Sequence, residues 1–597
     1  MPFFQVSPGV EIREIDLTQI IPAVSTAIGA LCGDFQWGPV HDITIISSKD
    51  ELEKEFGEPT DDNFAYWFTA ASFLNYSNNL KIIRQDQEGA LNSVANATDS
   101  PNTVNIRNND HYDAQSFTSG EGTFAAKFPG VLGNSLQISY CLADQTAFEA
   151  WEDSETLYRA YFPSAPGTSD YCAARGVSND EMHLMIIDRD GLFTGTPGQI
   201  LEKYSFLSLC PNAKASDGTS AYFANVLERQ SKYVYWLSND TSLSSSNAGR
   251  TIAWLKVNTT ANGSPSSYKY YDPYESPAIT ASNTYDFEGG AIGTASDLSE
   301  RRDAYDIFAD ETNVDITLVM MGPNFTSTID ATYFANYLMT LAENRHDCIS
   351  LLSPPTTGDI GSVFYTEPDT LVEYVDRLTS SSFGVMDSCA VKIYDKYNEV
   401  YRWIPANGIV AGLCARTDDT NDPWWSPAGY NRGQLRSIAS ISYNPDKADR
   451  DELYKARINP IVQFPGEGTI LYGDKTMLAK PSAFDRINVR RLFNVLEKAI
   501  ATSSKYILFE FNDEFTRARF VGMVEPYLRE IKGRRGMYDF RVVCDETNNT
   551  PAIIDANEFV ADIYIKPARS INFIRLNFIA TPTGLNFEEL IQDGYSF

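Results

Sequence analysis

Residues 481–501 read PSAFDRINVRRLFNVLEKAIA. Val489, Leu492, Phe493, Leu496 and Ile500 recur at helical spacing and share one face. Ser482 with Asp485 resembles a capping box at the start. Strand-like runs follow at residues 538–544, 559–565 and 570–580. In the last of these Ile574, Leu576 and Phe578 alternate with Arg575 and Asn577. An amphipathic helix followed by separate strands is an α+β pattern. It predicts a compact domain over residues 451–579, with 580–597 as a C-terminal arm.

Working outward, the upstream chain changes texture twice. Residues 21–92 and 301–450 alternate strands with helices and read as two parts of one α/β middle domain. Strands are predicted at 27–31, 43–46, 80–84, 314–321 and 348–352. Helices are predicted at 49–56 (capped by Ser48 and ended by Gly57), 63–76 and 331–344. Residues 93–300 are different. They hold β-like runs at 135–141 and 183–189 between stretches rich in Ser, Thr, Asn and Gly, at 98–122 and 238–299. This reads as a β-rich insertion with surface loops. Residues 1–20 read as an extended arm: Pro2 and Pro8 prevent early helix. Val10 and Ile12 alternate, then the phase shifts to Ile15 and Leu17, as at a bulge. The expected fold class is α+β and multidomain.

Composition bounds what such a chain does. At 597 residues it exceeds a single core. Its formal net charge of −31 argues against nucleic acid and against an anionic membrane surface. No basic n-region opens the chain and no apolar run reaches membrane-span length. The eight cysteines are scattered without a CxxC, which points to buried free thiols in a reducing cytoplasm.

No motif asks for chemistry or a cofactor. His41, His111, His183 and His346 lack a second His or Cys at metal spacing. There is no GxSxG, P-loop or HExxH. Gly466-Glu467-Gly468 reads as a turn. Asp418, Asp419 and Asp422 lack EF-hand spacing and read as a solvated acidic loop. A soluble hydrolase would need a convergent site that the sequence does not display.

Several strings run in order along nearly the whole chain: SPGVEI (7–12), GDFQWGP (33–39), FGEPT (56–60), FPGVLGNSLQI (128–138), DCISLLSPP (347–355), YDKYNEVYRWIP (394–405), AGLCARTDDTNDPWWSPAGYNRG (411–433), YGDKT (472–476), FDRINVRRLFN (484–494), YDFRVVCDETNNTP (538–551) and KPARSINFIRLNF (566–578). Together they resemble the tail sheath family of T-even-type contractile bacteriophages. The resemblance departs at residues 92–128, where long family members carry a larger outer insertion. It implies a structural role without enzyme activity. Subunits would stack as hexameric rings around the tail tube, meeting baseplate and tail terminator or neck proteins. They would assemble in the host bacterial cytoplasm, reside in the virion tail and shorten on a baseplate signal. The sheath of a headless contractile particle would read the same way.

The resemblance also implies that the inner domain, 451–579, faces the tube. It implies that the two arms add strands to neighbouring subunits. Val10, Ile12, Ile15, Leu17, Leu585 and Phe587 carry the apolar positions of those arms. Without the family, pairing of each arm inside its own domain is an equal reading. Residues 480–580 carry 16 Lys and Arg against 13 Asp and Glu, in an otherwise acidic chain. Arg486, Arg490, Arg491 and Lys498 are expected opposite the apolar stripe of the helix, with Ile487 among them. Lys532, Arg534 and Arg535 form a second basic cluster. The tube, a neighbouring subunit and solvent are all open as what these groups face.

Overall fold

The computed structural model describes residues 26–97, 102–115, 117, 121–152, 157–174, 179–209, 213–237, 282–295, 297–355 and 367–572. The chain divides into two compact units, Met1–Phe509 and Glu510–Phe597.

The first unit is built on a seven-stranded sheet. Its order is Ile458–Asn459, Gly384–Asp387, Ile349–Leu352, Leu318–Met320, Gly29–Gly33, Leu80–Arg84, Ile43–Ile46. All neighbours are parallel except the last pair, where Ile43–Ile46 runs antiparallel on the edge. Successive strand residues point to opposite faces, and each face finds its own helices. Leu31, Ile82, Leu318, Met320, Ile349 and Leu351 pack with helices Phe64–Phe73 and Asn407–Thr420. Ala30, Cys32, Ile83, Val319 and Leu352 pack with helices Leu298–Asp306, Thr328–Arg345 and Pro368–Val375. Every residue of Phe64–Phe73 is buried, which explains its density of aromatics. Ser48 caps Lys49–Phe56 by accepting from the Glu51 amide, as its sequence predicts.

A second seven-stranded sheet, antiparallel throughout, is inserted between the Leu80 and Leu318 strands. Its order is Gln199–Ser208, Glu181–Asp188, Leu136–Leu142, Ser282–Glu288, Val94–Ala95, Phe124–Ala126, Val234–Trp236. This is the β-rich insertion, and residues 92–128 supply two of its strands. His183 is a core residue here. Its ring stacks on Phe162 at 4.4 Å, Nδ1 accepts from the Phe206 amide at 3.1 Å and Nε2 lies 2.9 Å from the Ser164 carbonyl.

The second unit is small. Helix Glu514–Gly533, capped by Asp513, buries Phe520, Met523, Val524, Leu528 and Ile531. Strand Met537–Val543 pairs antiparallel with Asp562–Pro567. The predicted strand at 570–580 lies largely outside the described residues, and Ser570–Asn572 is not strand.

Segment 451–509 does not stand with residues 510–579. Ile458–Asn459 closes the parallel sheet beside Gly384–Asp387. The helix expected at 481–501 runs Ile487–Ser504, preceded by a short 3-10 turn that Ser482 caps. Both belong to the first unit. At the carboxyl edge of the same sheet, Asp387 is fully buried, accepts from the Ser353 hydroxyl at 2.5 Å and has its Oδ1 without a hydrogen bond. Burial pushes its carboxyl up to about 8. A carboxyl raised in the folded state contributes stability that is complete below about pH 4 and is lost as the pH rises through about 8. Asp387→Asn keeps the shape and removes the charge. We predict that it raises the thermal midpoint at pH 8.5 and leaves it nearly unchanged below about pH 4, the loss accruing between those values; an equal shift at both ends would refute the linkage.

Candidate functional site

Three of the basic side chains singled out in the sequence lie on helix Ile487–Ser504 and a fourth, Arg486, is its N-cap residue, and the structure turns them inward. Arg490 and Arg491 are 5% and 4% exposed. The Arg491 guanidinium meets Asp418 at 2.5 Å, from the last turns of helix Asn407–Thr420. Burial pushes the Asp418 carboxyl up, against the pull of Arg491. Arg490 lies between the rings of Phe383 and Phe484, at 4.3 and 4.8 Å, and donates to Asn494 at 2.8 Å. Glu497 is its carboxylate, at 3.3 Å. Lys498 pairs with Asp315 and, at 3.4 Å, with Asp347. Asp347 also holds Arg345 at 2.8 Å. Arg486 is half-buried, between Asp474 at 3.3 Å and Asp485 at 3.6 Å, against the ring and hydroxyl of Tyr454.

These four side chains are therefore not a free basic face. The helix is enclosed on its apolar and its polar side alike, and Asn494 donates to the Cys348 carbonyl at 2.9 Å. Ile487 is fully buried among the cations, and that misplaced apolar residue was the visible sign of a covered face. The partners Asp418, Asp315 and Asp347 are far away in sequence. Asp418 belongs to a helix and an ion pair instead of a solvated loop.

The second cluster is placed as a surface. Lys532, Arg534 and Arg535 are exposed at the end of helix Glu514–Gly533 and in the turn after it. Lys532 pairs with exposed Asp539 at 2.9 Å and Arg534 with exposed Glu530 at 3.7 Å. Arg535 takes a left-handed φ of 65°, so the chain reverses there into strand Met537–Val543. In that hairpin Phe540, Val542, Ile563 and Ile565 are half-buried. Asp539, Arg541, Tyr564 and Lys566 are exposed on the opposite face. Among the described residues neither strand has a second neighbour. Val10, Ile12, Ile15, Leu17, Leu585 and Phe587 lie outside the described residues.

The sequence strings converge in space. The Gly429 amide donates to the Leu471 carbonyl at 2.9 Å, and the Leu471 amide to Gly433 at 2.8 Å, joining 411–433 to 472–476. The Ile487 amide donates to Asp474, joining 472–476 to 484–494. Among the described residues no group of three or more His, Cys, Asp and Glu is placed to hold a metal, and no helix is long and apolar enough to cross a membrane.

Removing one member of a buried pair strands the other charge, at a cost of about 3–5 kcal/mol, whereas replacing both by apolar groups costs little. Arg491→Met is expected to lower the thermal midpoint strongly. Arg491→Met with Asp418→Leu should recover most of the loss. Equal destabilisation by the single and double variants would show that the pair is not what holds the helix.

Residues 303–477 match the family described as the phage tail sheath protein central domain, and 479–581 match the phage tail sheath C-terminal domain. The tail sheath protein of Enterobacteria phage T4 is 33% identical over 653 residues, covering 98% of this chain and 99% of that protein. The tail sheath protein of Vibrio phage KVP40 is 33% identical over 691 residues, with the same coverage of each. A crystal structure of the sheath tail protein from Listeria innocua shares the fold. Its TM-score is 0.51 at 11% identity, over 92% of this chain and 97% of that one. With a third of its residues identical to curated tail sheath proteins from end to end, and with both family domains in order, the chain belongs to the phage tail sheath family.

Proposed function

We propose that this chain is the structural subunit of a contractile phage tail sheath. It polymerises as stacked hexameric rings around the tail tube in an extended state, and shortens on a baseplate signal to drive the tube through the host envelope. Its partners are other copies of itself, the tube, the baseplate and the terminator or neck proteins at the far end. It acts by assembly and not by catalysis.

The observation that supports this reading is the two-stranded sheet of the second unit, whose strands have no further neighbour among the described residues. Two strands alone are marginal in water, and an open edge is a template for another chain. A strand added at either edge would continue the same two faces, apolar toward helix Glu514–Gly533 and polar outward. The arms fit that demand by sequence, since Val10 and Ile12 alternate with polar residues, as do Leu585 and Phe587. Main-chain hydrogen bonds are worth about 0.5–1.5 kcal/mol each, so an arm making about five holds neighbours together by a few kcal/mol. Such a joint survives while other contacts between subunits slide. Deleting residues 1–17, or everything after 579, is expected to leave a chain that unfolds cooperatively yet does not polymerise by electron microscopy. Loss of the cooperative transition would mean that the arm pairs within its own chain.

The tube-facing surface, in this reading, is Lys532, Arg534 and Arg535. Exposed ion pairs contribute only about 0–1 kcal/mol each, but a helical array repeats them along the tail, and salt weakens them. Lys532→Glu with Arg535→Glu should leave tube-free sheath polymers intact and stop the sheath from coating purified tubes. Normal coating would remove the tube from this surface. Loss of tube-free polymers would assign it to a neighbouring subunit.

A further inference from the structure

One exposed surface of the first unit is built from aromatic and arginine side chains that the fold does not use up. Tyr430, Phe464 and Tyr472 form a triangle, with ring centres 5.7, 5.3 and 6.3 Å apart. Tyr430 is 50% exposed and Tyr472 45%. Arg450, from helix Lys447–Lys455, lies over Phe464 at 5.5 Å and Tyr472 at 6.0 Å. Two residues from Tyr430, Arg432 lies over Trp425 at 5.2 Å and donates to the Ser426 carbonyl at 2.7 Å.

The loop that carries Trp425, Tyr430 and Arg432 is fixed. The amides of Gly429 and Leu471 tie it to strand Gly468–Leu471, and Gly429 takes a φ of 95° to make the turn. Rigid aromatic and arginine groups lose little entropy on binding, and Trp, Tyr and Arg dominate the energetics of protein interfaces. A soluble chain that leaves such a cluster half-exposed presents an interaction surface.

The charges indicate what fits it. Among the described residues neither Arg432 nor Arg450 has a carboxylate within ion-pair distance, in contrast to Arg486, Arg490 and Arg491. For Arg432 burial is the one cause acting on its guanidinium, and it lowers the pKa. Two cations without counter-ions, in a chain of net charge −31, are complementary to the bulk of that chain's own surface. A patch that meets a different patch on the next copy is a heterologous contact, the type that propagates a helical array.

We infer that the surface formed by Trp425, Tyr430, Arg432, Arg450, Phe464 and Tyr472 receives a carboxylate-bearing segment of a second copy of this chain in the assembled polymer. This rests on the polymerisation proposed above. Acidic side chains of that segment meet the two guanidiniums, and the rings beside each exclude water, which strengthens the ion pairs.

The test uses the full chain. A photo-cross-linking residue in place of Tyr430 should, on irradiation of polymers, yield a band at twice the chain mass, its cross-linked peptide rich in Asp or Glu. Arg450→Glu with Tyr430→Ser should raise the concentration needed for polymers at least about tenfold, equivalent to about 1.4 kcal/mol per contact. Its thermal midpoint should match the wild type. Tyr430→Ser alone, at a half-exposed position, should act in the same direction more weakly even if the double variant folds poorly. Polymers at the wild-type concentration for both variants, or cross-links solely to the tube protein, would overturn the inference while leaving the sheath reading intact. A wild-type chain that never polymerises would overturn the sheath reading, and this inference with it.

Discussion

The Arg491 guanidinium sits 2.5 Å from Asp418 with both side chains almost fully enclosed, and the architecture of the first unit hangs on that kind of contact. The chain carries 79 acids against 48 bases. Here the cations of one helix are drawn into the protein to meet them. Lys498 answers Asp315 and Asp347, close before the strands Leu318–Met320 and Ile349–Leu352, and Arg491 answers the end of helix Asn407–Thr420. Each pair is costly to desolvate and costlier to break, so the helix has one position where all its charges are satisfied. The first turns of the C-terminal family domain, which begins at residue 479, are thus held in the first unit, and the compact units divide thirty residues later.

A second buried cation joins the two sheets of that unit. Arg84, 1% exposed, donates to the carbonyls of Gly38 at 3.0 Å and Pro129 at 2.7 Å. Burial lowers its pKa to about 10. The strings GDFQWGP and FPGVLGNS, nearly a hundred residues apart, are in this way two halves of one joint. Gly130 completes it. Its φ is 140°, and a Cβ there would lie 2.6 Å from the Gln36 carbonyl oxygen. Trp37 packs edge-on against Phe128 and Phe193 beside it. A β-rich insertion on such a joint is carried as a fixed attachment of the α/β sheet.

The second unit inverts this economy. Among the described residues its sheet has two strands, and the charged side chains along them are exposed. The large unit buries several of its ion pairs, while the small one carries Lys532, Arg534 and Arg535 at its surface. That division suits a subunit that must stay folded as its neighbours move.

Local patterning was enough for the elements whose physics is local. Ser48 and Gly57 bracket helix Lys49–Phe56 because capping depends on adjacent residues. The strands Ile43–Ile46 and Leu80–Arg84 match their expected bounds because apolar runs bounded by turns have few alternatives. The Gly466–Gly468 turn needs left-handed glycines, which the sequence displays. The family was legible too, since it lies in the order of many short strings. The exposure of charge was not. Helical periodicity placed Arg490, Arg491 and Lys498 opposite the apolar stripe and could say no more, because whether a polar face meets water or buried carboxylates depends on residues up to 183 positions away. The extent of the C-terminal domain failed for the same reason: the helix that opens it was read correctly as a helix, and only the tertiary positions of Asp315, Asp347 and Asp418 decided which body it joins.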